Sequence, residues 1–454
     1  MKSNGTDEMK KPQVSADPRV VVFKKRESPF EQLVKDNEHI RSLVLIGLTA
    51  TAFYLLCFIA HDSMEAGQLY WNVDYYFGGW GSLGDIGRAM MLEVLILIAG
   101  FLFYPCFMAW LHLRKLSVLF DPVFGLMYVC MFIGTFPTLW WAKGYFKLPP
   151  FVVTTLAIEQ LRFCMKTYSF VRENAYKVLY PWSKDDKTGP AVWYEGQMSP
   201  KVGSFRQYIY FLFCPTLLYR DHYPRNSGPV NWQKAIIYLA CFIISLLIVL
   251  PFFSRYLYPK SLHWKELVHC FIVAIPPGFA VSTLASICVM HGWMNFGAEI
   301  TGFADREFYS DWWNSTIFTE FYRKWNNIPH HFIHDYLYND VRKVTRFKPL
   351  VLFVPLFASS IIHEYVIGVT MGVFIPILTV MFAGVGVFVA FIWPPKHMRI
   401  IRQSFFISSL SVGVAAILVC SMIEQKAREL CPHEEESLLD IFMPRVIECF
   451  SVYN

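Results

Sequence analysis

The chain has 454 residues, 55% hydrophobic, 17% aromatic and 17% charged, with a formal net charge of +6. A soluble domain carries about 45–50% apolar and about 25% charged residues. This balance, with a mean hydropathy of +0.36, excludes a soluble globular protein and predicts an all-α polytopic membrane protein. The basic residues gather in particular loops, a pattern of membrane orientation that excludes nucleic acid as a partner.

Residues 1–40 are charged and lack the apolar core and small-residue cleavage site of a secretory signal. They read as a cytosolic tail whose first part is disordered, followed by an apolar run that serves as an uncleaved signal anchor. A span needs about 20 apolar residues. Runs at 43–61, 90–112, 121–142, 149–167, 234–256, 264–296, 349–370, 372–393 and 404–424 predict about nine transmembrane helices. The run 149–167 is the weakest, because it contains Glu159, Arg162 and Lys166. The run 264–296 is long and carries Pro276-Pro277, which predicts a tilted or broken helix.

An odd count places the termini on opposite sides. Basic residues lie in the N-terminal tail (Lys10, Lys11, Lys24, Lys25, Arg26, Lys35, Arg41), after the second run (Arg114-Lys115) and after the eighth (Lys396, Arg399, Arg402). The loop 62–89 instead holds Asp62, Glu65, Asp74 and Asp85 against Arg88. The positive-inside rule then puts the N-terminus in the cytosol, the C-terminus in the lumen, and the loops 168–233 and 297–348 in the cytosol. The spans form one membrane domain over 41–424, between the tail 1–40 and a lumenal tail 425–454, with no internal repeat.

Two features carry chemistry. One is the aromatic, His-rich stretch FYSDWWNSTIFTEFYRKWNNIPHHFIHDYLY, Phe308 to Tyr338; the other is His363-Glu364-Tyr365 inside the apolar segment LVLFVPLFASSIIHEYVIGV. An ionisable residue within a span is costly and faces the protein interior or a polar cavity. A neutral imidazole accepts a proton at physiological pH, so His363 fits a general base; the plainer alternative is a buried histidine bonded to a neighbouring carbonyl or hydroxyl. Glu364, adjacent in sequence, points elsewhere on a helix and reads as a structural partner. Asn326 has an amide donor that can steady an oxyanion, or it is a helix cap.

His330, His331 and His334 lack a completing ligand cluster, so no metal is expected. His330 to Asp335 fits the HxxxxD pattern of soluble-type glycerolipid acyltransferases, a five-residue spacing that arises easily by chance. Asn314-Ser315-Thr316 is a formal glycosylation acceptor, expected to be unmodified in a cytosolic loop. The segments SFVREN (Ser169 to Asn174) and LYRDHYPRN (Leu218 to Asn226) read as a salt-bridged loop against the membrane. Of 11 cysteines, Cys57, Cys106, Cys130, Cys241, Cys288 and Cys420 lie in apolar runs as small hydrophobes. Cys431 and Cys449 flank a polar segment and read equally as a disulfide or as two free thiols.

FYSDWWN, that is Phe308, Tyr309, Ser310, Asp311, Trp312, Trp313 and Asn314, resembles the FYxDWWN signature of the sterol O-acyltransferases, which belong to the membrane-bound O-acyltransferase superfamily. EQLRFCMKTYSFVREN (Glu159–Asn174), FLFCPTLLYRDHYPRN (Phe211–Asn226), Trp325-Asn326 and His363-Glu364-Tyr365 are similar to that family in order and spacing. So is the tail, with Cys431-Pro432, Leu439-Asp440, Pro444-Arg445 and Cys449. The resemblance covers about residues 30 to 454.

It implies an endoplasmic-reticulum enzyme with the membrane-bound O-acyltransferase fold, moving a fatty acyl group from coenzyme A to a sterol hydroxyl, with acyl-CoA as co-substrate and no further cofactor. By the family pattern His363 is the catalytic base and Asn326 its partner. Tyr322, Arg323, His330, Tyr338, Lys348 and Ser359 fall where the family lines its acyl-CoA tunnel. Cys431 and Cys449 fall where it has a lumenal disulfide. The short N-terminal tail makes a homodimer, surrounded by membrane lipids, the expected assembly. Pro329, soon after the Trp-Asn pair, stands where diacylglycerol acyltransferases also carry a proline, which makes diacylglycerol or another lipid alcohol the rival acceptor. A lipid transporter is the reading from a different class; it predicts paired broken spans with internal symmetry, and Pro276-Pro277 is the one segment of that kind.

Overall fold

The computed structural model describes residues 21–70, 78–179, 201–252, 258–381, 393–432 and 441–453. Over them the protein is helical, with two isolated bridges, Arg26 with Asp305 and Arg225 with Phe303, in place of strands. Among the described residues six helices are long and apolar enough to cross a membrane: Glu38–Ala66, Leu83–Arg114, Phe120–Phe146, Gly278–Thr301, Lys348–Met371 and Arg399–Leu430. Local chemistry sets where they begin. Ser82 caps the second of them, its Oγ accepting from Asp85 N at 3.3 Å while Asp85 Oδ2 accepts from Ser82 N at 2.8 Å.

The expected count of about nine is not reached on these criteria. The run 149–167 lies in helix Pro150–Leu179, too polar to qualify, and the run 234–256 in helix Trp232–Phe252, whose apolar part Trp232–Ile248 is short. Half of 372–393 lies outside the described residues. The prolines at 276 and 277 do not break their helix either, since Trp264–Ser286 runs through them. The irregularity follows as a π segment, Ile287–Trp293, before helix Met294–Thr301.

The charges of helix Pro150–Leu179 have partners inside the protein. Lys166, buried, donates its Nζ to Leu212 O at 3.0 Å and Cys214 O at 2.7 Å, and Arg162 Nη1 donates to Leu212 O at 2.7 Å. These carbonyls close helix Phe205–Phe213, whose last turn leaves acceptors that a cation satisfies. Further along, Lys177 pairs with Asp221 at 2.8 Å. Arg220, 1% exposed, bridges Glu173 at 3.2 Å and Asp335 at 3.0 Å. The salt-bridged loop expected from SFVREN and LYRDHYPRN is therefore a buried ionic junction between the two expected cytosolic loops.

Residues 21–36 are docked, not loose. Arg26 N donates to Ala304 O at 2.9 Å, Arg306 N donates to Arg26 O at 3.1 Å, and Phe23 packs on Tyr223 and Phe303. At the other end of the chain Cys431 and Cys449 form a disulfide with Cα atoms 6.1 Å apart, which decides between the two thiol readings. Beside it the buried Glu424 accepts from Arg445 N at 3.0 Å and Val446 N at 3.1 Å, capping helix Arg445–Tyr453.

Candidate active site

His363 lies in helix Lys348–Met371, one face of which is held from behind. Glu364 is buried and accepts from Thr379 N at 2.8 Å and Thr379 Oγ1 at 2.7 Å, while Tyr365 bonds to Gln160 and meets Phe136 edge-on at 4.8 Å. With its neighbours turned inward, His363 is left exposed. Its Nδ1 lies 2.7 Å from Ser359 O, one helical turn back. A carbonyl only accepts, so Nδ1 carries the proton and Nε2 is the bare, basic nitrogen of the neutral ring. Of the plainer reading of His363, a buried ring bonded to a nearby carbonyl, the bond is present and the burial is not, because Glu364 and Tyr365 take the inward face; the bond fixes the tautomer a base needs. Ser359 contributes to the site through its carbonyl.

The FYSDWWN motif and the Trp325-Asn326 pair form a clamp. Ser310 N donates to Lys324 O at 2.8 Å and Asn327 N to Phe308 O at 2.8 Å, while Lys324 Nζ meets Asp311 at 3.0 Å. Trp312, buried, packs edge-on against Trp325 at 4.7 Å and beside Phe321 and Phe279. Phe308 and Tyr309 are buried too, Trp313 leans on Trp312, and Asn314 bonds Asp311 at 3.4 Å. The motif is scaffold, and what it holds is Asn326.

Asn326 sits extended (φ −143°, ψ 100°) between helices Phe318–Trp325 and Asn327–Ile333. Its Oδ1 accepts from Ile328 N at 3.2 Å, the cap foreseen as the plainer reading. The cap occupies the carbonyl side and leaves the Nδ2 amide to donate. Asn326 and His363 make no hydrogen bond to each other among the described residues. They are linked through the intervening segment, whose π turn His334–Tyr338 packs against helix Lys348–Met371.

In that segment Asp335 accepts from Arg220 at 3.0 Å, from Val21 N at 3.4 Å and pairs with His334 at 3.1 Å. Its carboxylate is committed, so the HxxxxD dyad with His330 does not form. His334 stacks on Tyr338 at 5.4 Å, and Tyr322 packs against Phe318 and Phe321. Arg323 and Lys348 are exposed. Burial lowers His330 to about 4, with His334 and Arg323 adding repulsion, and burial with the neighbouring His330 lowers His331 to about 4. Both rings are neutral at physiological pH.

The same depression fixes a pH response. An unfolded histidine takes up its proton near pH 6.5, whereas the folded rings refuse theirs down to about 4. Stability is full above pH 6.5 and falls as pH drops through that window. The purified protein is expected to melt at a lower temperature at pH 5 than at pH 7.5, with a smaller difference for His331→Gln. An equal difference in wild type and variant would remove His331 as the cause.

Sequence reading passed over His291. It is buried in the π segment, its Nδ1 3.2 Å from Tyr309 OH and 3.3 Å from Ser28 Oγ, with Phe30 edge-on at 5.0 Å. It ties the docked N-terminal segment to the motif. The signal was available, because His291 stands in an apolar run as His363 does.

Residues 126–425 match the profile of MBOAT, the membrane-bound O-acyltransferase family. The chain is 30% identical over 450 residues to sterol O-acyltransferase 1 of Mus musculus, covering 95% of this chain and 80% of that protein. It is 28% identical over 468 residues to sterol O-acyltransferase 2 of Rattus norvegicus, covering 98% and 84%. Against sterol O-acyltransferase 2 of Homo sapiens it is 33% identical over 319 residues, covering 67% and 57%. The matched span holds the clamp, the histidine segment and His363 together, and on these grounds the chain belongs to the membrane-bound O-acyltransferase family, with the sterol O-acyltransferases.

Proposed function

We propose that this enzyme transfers a long-chain fatty acyl group from acyl-CoA to the 3-hydroxyl of a sterol, forming a sterol ester for storage. The observation that carries the chemistry is the His363 ring, held through Nδ1 so that Nε2 is the bare base. His363 Nε2 takes the hydroxyl proton as the oxygen attacks the thioester carbon. The C–S bond breaks, and the coenzyme A thiolate takes the proton back from the imidazolium. Asn326 Nδ2 donates to the developing oxyanion, and a positioned donor of this kind is worth about 10²–10³ in rate. The thioester is already activated, so the reaction requires no further cofactor.

The polyanionic end of acyl-CoA approaches from the cytosol, where Arg323 and Lys348 meet phosphates. His330 lines the path as a neutral hydrogen-bonding ring, and Tyr322 and Tyr338 line it too. The apolar acyl chain and sterol arrive from the bilayer. We place the enzyme in the endoplasmic-reticulum membrane as a homodimer, N-terminus cytosolic and C-terminus lumenal. The Cys431–Cys449 disulfide supports that side for the tail, because disulfides persist in oxidising compartments. An architecture of about nine spans is supported by helices Pro150–Leu179 and Trp232–Phe252, of 30 and 21 residues.

The deciding experiment supplies the purified protein with labelled oleoyl-CoA and, in turn, cholesterol, diacylglycerol and retinol. Label in cholesteryl ester above the other two products is the expected result. Predominant triacylglycerol or retinyl ester would reassign the acceptor, and no ester with any of them would favour lipid transport.

A further inference from the structure

The residue after the Trp-Asn pair is buried and makes more hydrogen bonds than Asn326 does. Asn327 is 6% exposed. Its backbone N–H donates to Phe308 O at 2.8 Å, and its side-chain Nδ2 donates to Glu307 O at 2.8 Å and approaches Ser310 Oγ at 3.4 Å. On the other side of Asn326 the chain is pinned as well, by Ser310 N on Lys324 O and by Trp325 against Trp312. Asn326 is therefore an extended residue fastened before and after itself to the same short stretch, Glu307 to Trp312. Its φ and ψ, and with them the direction of its amide, follow from those anchors.

We propose that Asn327 is a positioning residue for the acyl-transfer step, its side-chain amide locking the backbone that aims Asn326 Nδ2 at the thioester oxygen. The proposal rests on the reading of Asn326 as oxyanion donor. A donor displaced by about 1 Å loses most of its worth to a transition state while barely changing ground-state binding. The loss of the lock therefore appears in kcat and leaves KM for acyl-CoA in place.

Asn327→Val removes the side-chain bonds and keeps the backbone bond to Phe308. Asn327→Leu, uncharged and close in volume, removes the donor and serves if the valine variant does not fold. Each is expected to lower kcat with oleoyl-CoA and cholesterol about tenfold, with KM for oleoyl-CoA within about twofold and a melting temperature within about 3 °C of wild type. The discriminating readout is a double-mutant cycle with Asn326→Ala. In that background the Asn327 substitution is expected to change kcat less than about twofold, because there is no longer an amide to aim.

A further full loss in the Asn326→Ala background, an effect confined to KM, or a kcat unchanged in Asn327→Leu would overturn the lock while leaving the role of Asn326 intact. Wild-type kcat in Asn326→Ala itself would instead remove the oxyanion donor, and the lock with it.

Discussion

Replacing His363 by alanine is expected to lower sterol esterification by about 10²–10⁴-fold with the fold retained. The two halves of that expectation have separate grounds. The side chain is exposed and among the described residues has one hydrogen bond, to Ser359 O at 2.7 Å. That carbonyl lies within helix Lys348–Met371 and has the helix's own ladder as a partner. Removing the imidazole therefore strands no buried group and opens no cavity. Its neighbours Glu364 and Tyr365, which do hold the helix to Thr379 and Gln160, are untouched. What disappears is Nε2, the proposed acceptor for the sterol hydroxyl proton. The measurement is turnover of labelled oleoyl-CoA and cholesterol beside a thermal melt of the same preparation. Activity above about a tenth of wild type would discard His363 as the base. A collapse of the melt together with activity would assign it a structural role.

The largest stability loss is expected at Arg220. Its guanidinium is buried between Glu173 and Asp335, which are themselves nearly buried, and it also donates to Tyr219 O at 2.8 Å. Arg220→Met fills most of the volume and leaves two carboxylates with no cation between them. Breaking one side of a buried ionic group costs about 3–5 kcal/mol, because the remaining charges are uncompensated. The variant should melt well below wild type and be cleaved faster by protease. Adding Asp335→Asn to Arg220→Met should restore part of the loss, since one orphaned charge is then gone. No recovery in the double variant would show that packing, and not charge, is what Arg220 supplies. The junction joins helix Pro150–Leu179, the LYRDHYPRN segment and the π turn His334–Tyr338 that packs on the His363 helix. A stability defect here should therefore lower activity in proportion to the folded fraction.

Some of this was legible in the sequence for plain reasons. A histidine in an apolar run is visible because the membrane makes it expensive, and FYSDWWN with Trp325-Asn326 and His363-Glu364-Tyr365 formed an ordered set. Other features were hidden because they depend on which residues meet. Glu159, Arg162 and Lys166 weaken a run read for apolarity, although Arg162 and Lys166 face the carbonyls that end helix Phe205–Phe213. Asp335 looked like a partner for His330 by spacing, yet Arg220, distant in sequence, occupies its carboxylate. Pro276-Pro277 looked like a break, but the backbone adjusts later, at Ile287–Trp293.

By itself the sequence determined that this is a helical membrane protein of the O-acyltransferase type, because apolar run length and motif order are properties of the chain alone. The tertiary structure decided how the candidate residues are used. It paired the two tail cysteines, gave the Phe308–Asn314 motif a scaffolding role, and buried Asn327 beside Asn326. It also fixed which nitrogen of His363 is bare. The reason is physical: a tautomer, an ion pair or a cap is set by the nearest donor or acceptor in space, and that neighbour is chosen only when the helices pack.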